Sequence, residues 1–352
     1  MRMNRCSIAL MAVISISMMA GRSEGQGVVR IVPEESTSIY QEADGPSPSD
    51  LVVPTELSSE FKDEALKQDN GTWKDGDCQF NCGPLWSVYA GAVILRRDNP
   101  DVMGPLPVDP IVLGTPPFDV GTSVGVEIDA RRRLGERNEL QVRYFGVAGW
   151  SDQFEDSGTI GPIQWEAFAG YATRLHSTEI NLRRCWTDRV TVLGGFRWVE
   201  LNEKVDYEIN TTTFGFSADF AQRAGAYNNM YGFQLGTDVL LWDRGGPFTV
   251  NSEVKAGIYS NLAKNSGALE SPIGDIVGDG RKYHTAFLGQ LAINAKYQLN
   301  RNWALLAGYQ MLWVEGVALV NSNQVDALVA GDVDTSGSPF YHGATIGAEL
   351  RW

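Results

Sequence analysis

Phe340-Tyr-His-Gly-Ala-Thr-Ile-Gly-Ala-Glu-Leu-Arg-Trp352 closes the chain, and its pattern decides the fold. One set of alternate residues reads Phe340, His342, Ala344, Ile346, Ala348, Leu350, Trp352. The other reads Tyr341, Gly343, Thr345, Gly347, Glu349, Arg351. Side chains alternate across a strand with period two, so one face is apolar and the other polar. Nine further stretches carry a related alternation, near 86–95, 119–131, 137–149, 164–185, 189–203, 228–242, 247–261, 284–298 and 302–316. Ten such strands behind a secretory signal, ending on an aromatic, describe a transmembrane antiparallel up-and-down β-barrel.

The N-terminus supports export. Arg2 and Arg5 precede an apolar stretch from Ile8 to Ala20, then small and polar residues. That is a signal peptide over about residues 1–25, and its core is too short to span a bilayer as a helix. Cleavage is expected within Ala20–Gly27. Cys6 lies inside the signal and is no lipid acceptor. No later apolar run approaches transmembrane-helix length, and the mean hydropathy is −0.18, which excludes a helical membrane protein but not a barrel. The net charge of −14 argues against nucleic acid as a partner.

Residues 26–84 form an acidic leader, expected to be mostly disordered and periplasmic; a plug for the barrel is the sharper alternative. Over residues 28–84, twelve acidic residues stand against four basic ones. Export favours a local Cys78–Cys82 disulfide, with metal binding as the alternative, and leaves Cys185 a free thiol. The barrel proper is read as residues 85–352. Its connections alternate in length. Arg132–Glu136, Trp186–Asp188, Asp243–Gly246 and Asn300–Arg301 are short, whereas 96–118, 150–163, 204–227, 262–283 and 317–339 are long and acidic. Short periplasmic turns and longer outer loops are expected of a barrel with both termini inside. A twelve-strand alternative makes an extra hairpin from Val205–Asn210 and Phe214–Phe220, although that stretch equally reads as a hairpin extended above the membrane.

Tryptophan gives a second indication. Trp86, Trp186, Trp242, Trp303 and Trp352 fall beside short turns or the termini. Trp150, Trp165, Trp198 and Trp313 fall where strands meet long connections. Indole favours the bilayer interface. Trp303 and Trp313 share a face, and ten residues of tilted strand separate them by about 25 Å along the membrane normal. A secreted soluble β-sandwich also alternates but accounts for neither the loop asymmetry nor two tryptophan levels.

The polar faces assign fourteen charges to the lumen. The acids are Glu127, Asp129, Glu139, Glu179, Asp238, Glu253 and Glu349; the bases are Arg131, Arg143, Arg183, Arg197, Lys255, Lys296 and Arg351. Seven against seven points to mutual pairing rather than selection of one ion sign, and ten strands enclose little space. A hairpin centred on Gly135 is expected to oppose Glu127 to Arg143, Asp129 to Gln141 and Arg131 to Glu139. The strand near 302–316 is apolar on both faces and has no orientation from sequence. The acidic outer loops read as solvated surface, or as sites for divalent-cation bridging to anionic lipid.

Barrels of ten to twelve strands include hydrolases, which need an Asp and a His together above the barrel. The chain has three histidines, and none has an Asp two residues before it. His284 follows an inward set and His342 an outward one, while His176 lies mid-strand. No enzyme, cofactor or metal is expected.

Cys82-Gly-Pro-Leu-Trp86-Ser-Val-Tyr-Ala-Gly-Ala, Leu175-His-Ser-Thr-Glu-Ile-Asn-Leu-Arg183 and Gly194-Gly-Phe-Arg-Trp198-Val-Glu resemble beta-barrel porin family seven over residues 82–352. The resemblance implies an outer-membrane barrel and adds little about transport. The expected partners are outer-membrane lipid and the barrel-assembly machinery, through the strand ending at Trp352. The expected role is structural or surface-exposed, with room at most for small solutes. A general diffusion porin is the alternative, and an outer-membrane hydrolase stands behind it.

Overall fold

The computed structural model describes residues 84–98, 106–108, 111–113, 118–323 and 331–352. The signal, the leader, Cys78 and Cys82 lie outside them. In chain order the strands are β1 (Trp86–Arg97), β2 (Leu106–Val108), β3 (Ile111–Leu113), β4 (Thr122–Arg133), β5 (Asn138–Ile160) and β6 (Ile163–Thr187). They continue as β7 (Val190–Thr213), β8 (Phe216–Asp243), β9 (Phe248–Glu270), β10 (Ile276–Gln298), β11 (Trp303–Glu315) and β12 (Phe340–Arg351). Apart from the β2–β3 hairpin, these strands form a closed antiparallel ring of ten, in which each pairs with its sequence neighbour and β1 seals against β12. At the seam Trp86 and Trp352 exchange backbone hydrogen bonds of 2.9 and 3.1 Å, and their rings stack 6.5 Å apart. The fold is a transmembrane up-and-down β-barrel of ten strands, not twelve.

The wall is uneven in height. β1, β4, β11 and β12 have 12 or 13 residues, enough to cross an outer-membrane apolar band, whereas β5 to β10 run to 23–28. The stretches 150–163, 204–227 and 262–283, expected as loops, are therefore strand extensions. Tight turns at Gly161–Pro162, Phe214–Gly215 and Ser271–Asp275 join them. Phe214 and Gly215 both have positive φ, as a two-residue I′ turn demands. The cause of the difference is solvent. Above the bilayer the outward positions no longer need to be apolar, so Lys204, Asp206, Glu208 and Asn210 occupy them, while Val205, Tyr207 and Ile209 stay buried inside.

Alternation divides the side chains as a membrane requires. Val126, Ile128, Ile180, Phe233, Leu235, Ile258, Ile293, Leu305 and Ile346 point outward and are exposed, forming an apolar belt. β11 gains an orientation here: Tyr309 and Trp313 face out, and Gln310, Leu312 and Val314 are buried inside.

Candidate functional site

The bore is the candidate site, and side chains fill it at two levels. The half nearer the short turns holds the fourteen sequence-assigned charges, and each has an ion-pair partner. Near the short-turn mouth Glu349 takes Lys296 at 2.6 Å and Arg351 at 2.5 Å, and Arg131 meets Asp129 at 2.8 Å. Deeper, Arg143 meets Glu127 at 2.8 Å and Glu253 at 3.2 Å. Arg183 binds Glu139, Asp238 and Glu253 at 3.3, 2.6 and 3.1 Å. Lys255 joins Glu253 to Glu179 at 3.0 and 2.9 Å, and Arg197 meets Glu179 at 3.5 Å. Arg143 on β5 and Glu253 on β9 are four strands apart around the ring, so their bond crosses the bore. Gln141, Asn181, Gln234 and Gln290 fill the gaps and are buried. At the centre of the cluster the groups are closed off from bulk solvent: Arg197 is 0% exposed and Lys255 and Glu179 are each 1% exposed.

The β4–β5 register differs from the expected one by two residues. Asp129 lies opposite Arg143, Arg131 opposite Gln141 and Arg133 opposite Glu139. The turn occupies residues 134–137 and centres one position later than Gly135, which keeps the faces but moves the partners. Long side chains still reach diagonally: Arg143 bonds Glu127, and Gln141 donates to Asp129 at 2.7 Å. Arg131 and Glu139 do not pair with each other; Arg131 turns to Asp129 and Glu139 to Arg183.

The outer half of the bore is apolar. Leu95, Phe145, Leu175, Leu201, Tyr207 and Leu288 pack there. Trp150 is among them, which corrects its expected interfacial place. A β-bulge between Val147 and Trp150 switches the inward set from odd to even numbers. Trp150 is 1% exposed, donates to the Leu95 carbonyl at 3.1 Å and lies 5.5 Å from the Tyr341 ring. Trp165 is also displaced, standing two residues from the tip of the β5–β6 extension, far above the belt. Trp186, Trp242, Trp303, Trp313 and Trp352 are exposed on the outer surface, with Trp86 and Trp198 half-buried.

Into this apolar level folds the connection between β11 and β12. Val317, Ala318, Val320, Asn323 and Val333 are buried, where an outer loop was expected. Inward side chains hold its backbone. Asn228 Oδ1 accepts from Ala318 N and its Nδ2 donates to Ala318 O, both at 2.8 Å. Asn261 donates to Gly316 O at 3.2 Å, Asn265 to Asp332 O at 2.6 Å, and Glu203 accepts from Val320 N at 2.9 Å. Asp334 serves the segment itself: its backbone N–H donates to Asn323 Oδ1 and its carbonyl accepts from Asn323 Nδ2. Glu203 is also ion-paired with Arg97, which donates to Tyr171, and all three are buried. Sequence reasoning missed Arg97 because the first strand was stopped at 95, and missed Glu203, the last residue of the expected 189–203 strand, because the inward charges were counted only as far as Arg197. Both continue the inward alternation of Val93–Leu95 and of Arg197–Leu201.

Two histidines lie on the outer surface, each bonded to a tyrosine: His176 Nδ1 to Tyr144 at 3.0 Å and His342 Nδ1 to Tyr309 at 2.6 Å. His284 lies across the strand pair from Asn261. Among the described residues no group of three metal-binding side chains assembles. Cys185 is a buried free thiol.

No family model and no curated protein matches the chain. Among solved structures, the outer membrane protease OmpT of Escherichia coli is similar at 12% identity and a TM-score of 0.46, over 76% of this chain and 96% of that one. The toluene transporter TbuX of Ralstonia pickettii is similar at 9% identity and a TM-score of 0.32, over 79% and 92%. Neisserial surface protein A gives 11%, 0.21, 76% and 97%. At these values the likeness extends to barrel architecture alone, which the ring of ten strands establishes independently.

Proposed function

We propose that this chain is a closed outer-membrane barrel whose role is structural and surface-presenting, rather than a general diffusion porin. The filled bore is the observation that supports this reading. A wide barrel leaves an aqueous channel, whereas here buried ion pairs occupy one half of the lumen and an inward-folded segment the other. The six tall strands then serve as a scaffold that carries three hairpins above the membrane. The leader belongs in the periplasm, because β1 starts at the short-turn end. Folding is assigned to the barrel-assembly machinery acting on the strand that ends at Trp352. We assign no catalytic role, since His176 and His342 are turned outward onto tyrosines.

Planar-bilayer recording tests the proposal. The purified protein is expected to give no steady single-channel openings in 1 M KCl. Large, stable, weakly selective steps from the wild-type protein would overturn it in favour of the porin reading.

A further inference from the structure

Two cations stand side by side on the outer wall, just above the apolar belt. Lys264 on β9 lies directly opposite Arg281 on β10. Their chain neighbours Asn265 and Lys282 turn inward and bond the folded β11–β12 connection at 2.6 and 3.2 Å. Lys264 and Arg281 therefore face outward, and both are exposed. Like charges opposed across an antiparallel ladder are destabilising. Neither cation has an ion-pair partner among the described residues. Glu200 holds Arg174, Glu270 holds Arg223, and Asp279, which lies opposite Ser266, pairs with neither cation. Tyr227 extends the row on β8, opposite Lys264. Such an arrangement calls for an anion.

Below the pair the same wall is hollowed. A groove of about 430 Å³ lies between Phe196, Tyr231, Phe233, Ile258 and Tyr283. Ser260 stands between Tyr231 and Thr285 in the ladder, and its short side chain leaves the depression among the aromatic rings. Tyr283 is 73% exposed and marks the interface, the depth that a phenol favours. Lys264 and Arg281 stand one ladder row beyond Tyr283. Two residues of tilted strand amount to about 5 Å along the membrane normal, which is headgroup depth.

We propose that this face binds one phosphate-bearing lipid of the leaflet at the tall-strand end. Its phosphate lies between Lys264 and Arg281, and one of its acyl chains lies in the groove. A zwitterionic lipid fits the groove but brings a third cation to the pair. Free phosphate fits the pair but leaves the groove unused. The site ties β8 to β10 to charged headgroups at the level where these strands leave the membrane. The inference rests on the placement of the barrel in a bilayer and holds whether or not the bore conducts.

The test uses the full mature chain in detergent with dimyristoyl phosphatidic acid or dimyristoyl phosphatidylcholine at equal concentration. Native mass spectrometry counts the lipid retained on each barrel. One phosphatidic acid is expected, and about tenfold less phosphatidylcholine, because a hydrogen bond between charged groups contributes at least that factor. Lys264→Gln/Arg281→Gln should lower phosphatidic acid retention by about tenfold for the same reason, and Lys264→Arg should keep it. Ser260→Trp fills the groove and should also lower retention, with both cations still in place. Inorganic phosphate at the same concentration should displace no lipid. Heat-dependent gel mobility verifies that each variant is folded. Equal retention of the two lipids, or retention indifferent to Lys264→Gln/Arg281→Gln, would overturn recognition of the phosphate. Displacement by inorganic phosphate, or full retention by Ser260→Trp, would overturn the lipid as the occupant.

Discussion

Glu179→Ala is expected to destabilise the barrel by about 3–5 kcal/mol, because it breaks a buried charge cluster at its hub. Glu179 is 1% exposed, accepts from Lys255 at 2.9 Å, Gln234 at 2.7 Å and Asn181 at 3.0 Å, and is ion-paired with Arg197 at 3.5 Å. Lys255 keeps Glu253 as a partner. Arg197 does not fare as well, since Glu179 is its one ion-pair partner among the described residues and the guanidinium is wholly buried. The cost therefore comes mainly from a stranded cation, more than from lost hydrogen bonds. This makes a second prediction sharp. Glu179→Ala/Arg197→Met removes both charges and should recover most of the loss, because apolar replacement of a buried pair is often close to neutral. Urea midpoints in lipid vesicles, followed by tryptophan fluorescence, measure both. A single variant within 1 kcal/mol of wild type would mean that water reaches the bore and that the lumen is open.

The parts legible in the sequence were those where one rule acts alone. Within the membrane, lipid outside and charge inside impose opposite demands on alternate residues, so the strands, their faces and the lumenal charges followed from alternation. Legibility failed where a second rule entered. Above the bilayer the outward face may be polar, and strands β5 to β10 then resemble loops from residue 150 onward. At the Val147–Trp150 bulge one extra residue reverses the parity, which carried Trp150 from the surface to the core. In the β4–β5 hairpin the faces were fixed but the turn length was not, so the register moved by two. The inward fold of the β11–β12 connection had no periodic signal at all. Its anchors Asn228, Asn261 and Asn265 sit at inward positions of β8 and β9, where an amide row facing an otherwise apolar interior was the available sign.

Ile346→Arg tests the membrane reading on the C-terminal strand, and it is expected to cost about 2–4 kcal/mol. Ile346 is 59% exposed on the outward face of β12, six residues from Trp352 and four from His342, which puts it near the middle of the belt. An arginine there must deform the bilayer or draw in water. Ile346→Glu should cost less, and Leu350→Arg, two residues from the inner rim, only about 0–1 kcal/mol. The depth dependence is what decides. In a soluble sandwich the same exposed position would face water, and a polar replacement would stay within about 0.5 kcal/mol wherever it stood on the strand. Folding titrations of the three variants into vesicles separate the two cases. A penalty that rises toward Ile346 and falls toward Leu350 requires an apolar slab around the barrel, whereas three equal and small effects would remove lipid from the outside of this wall.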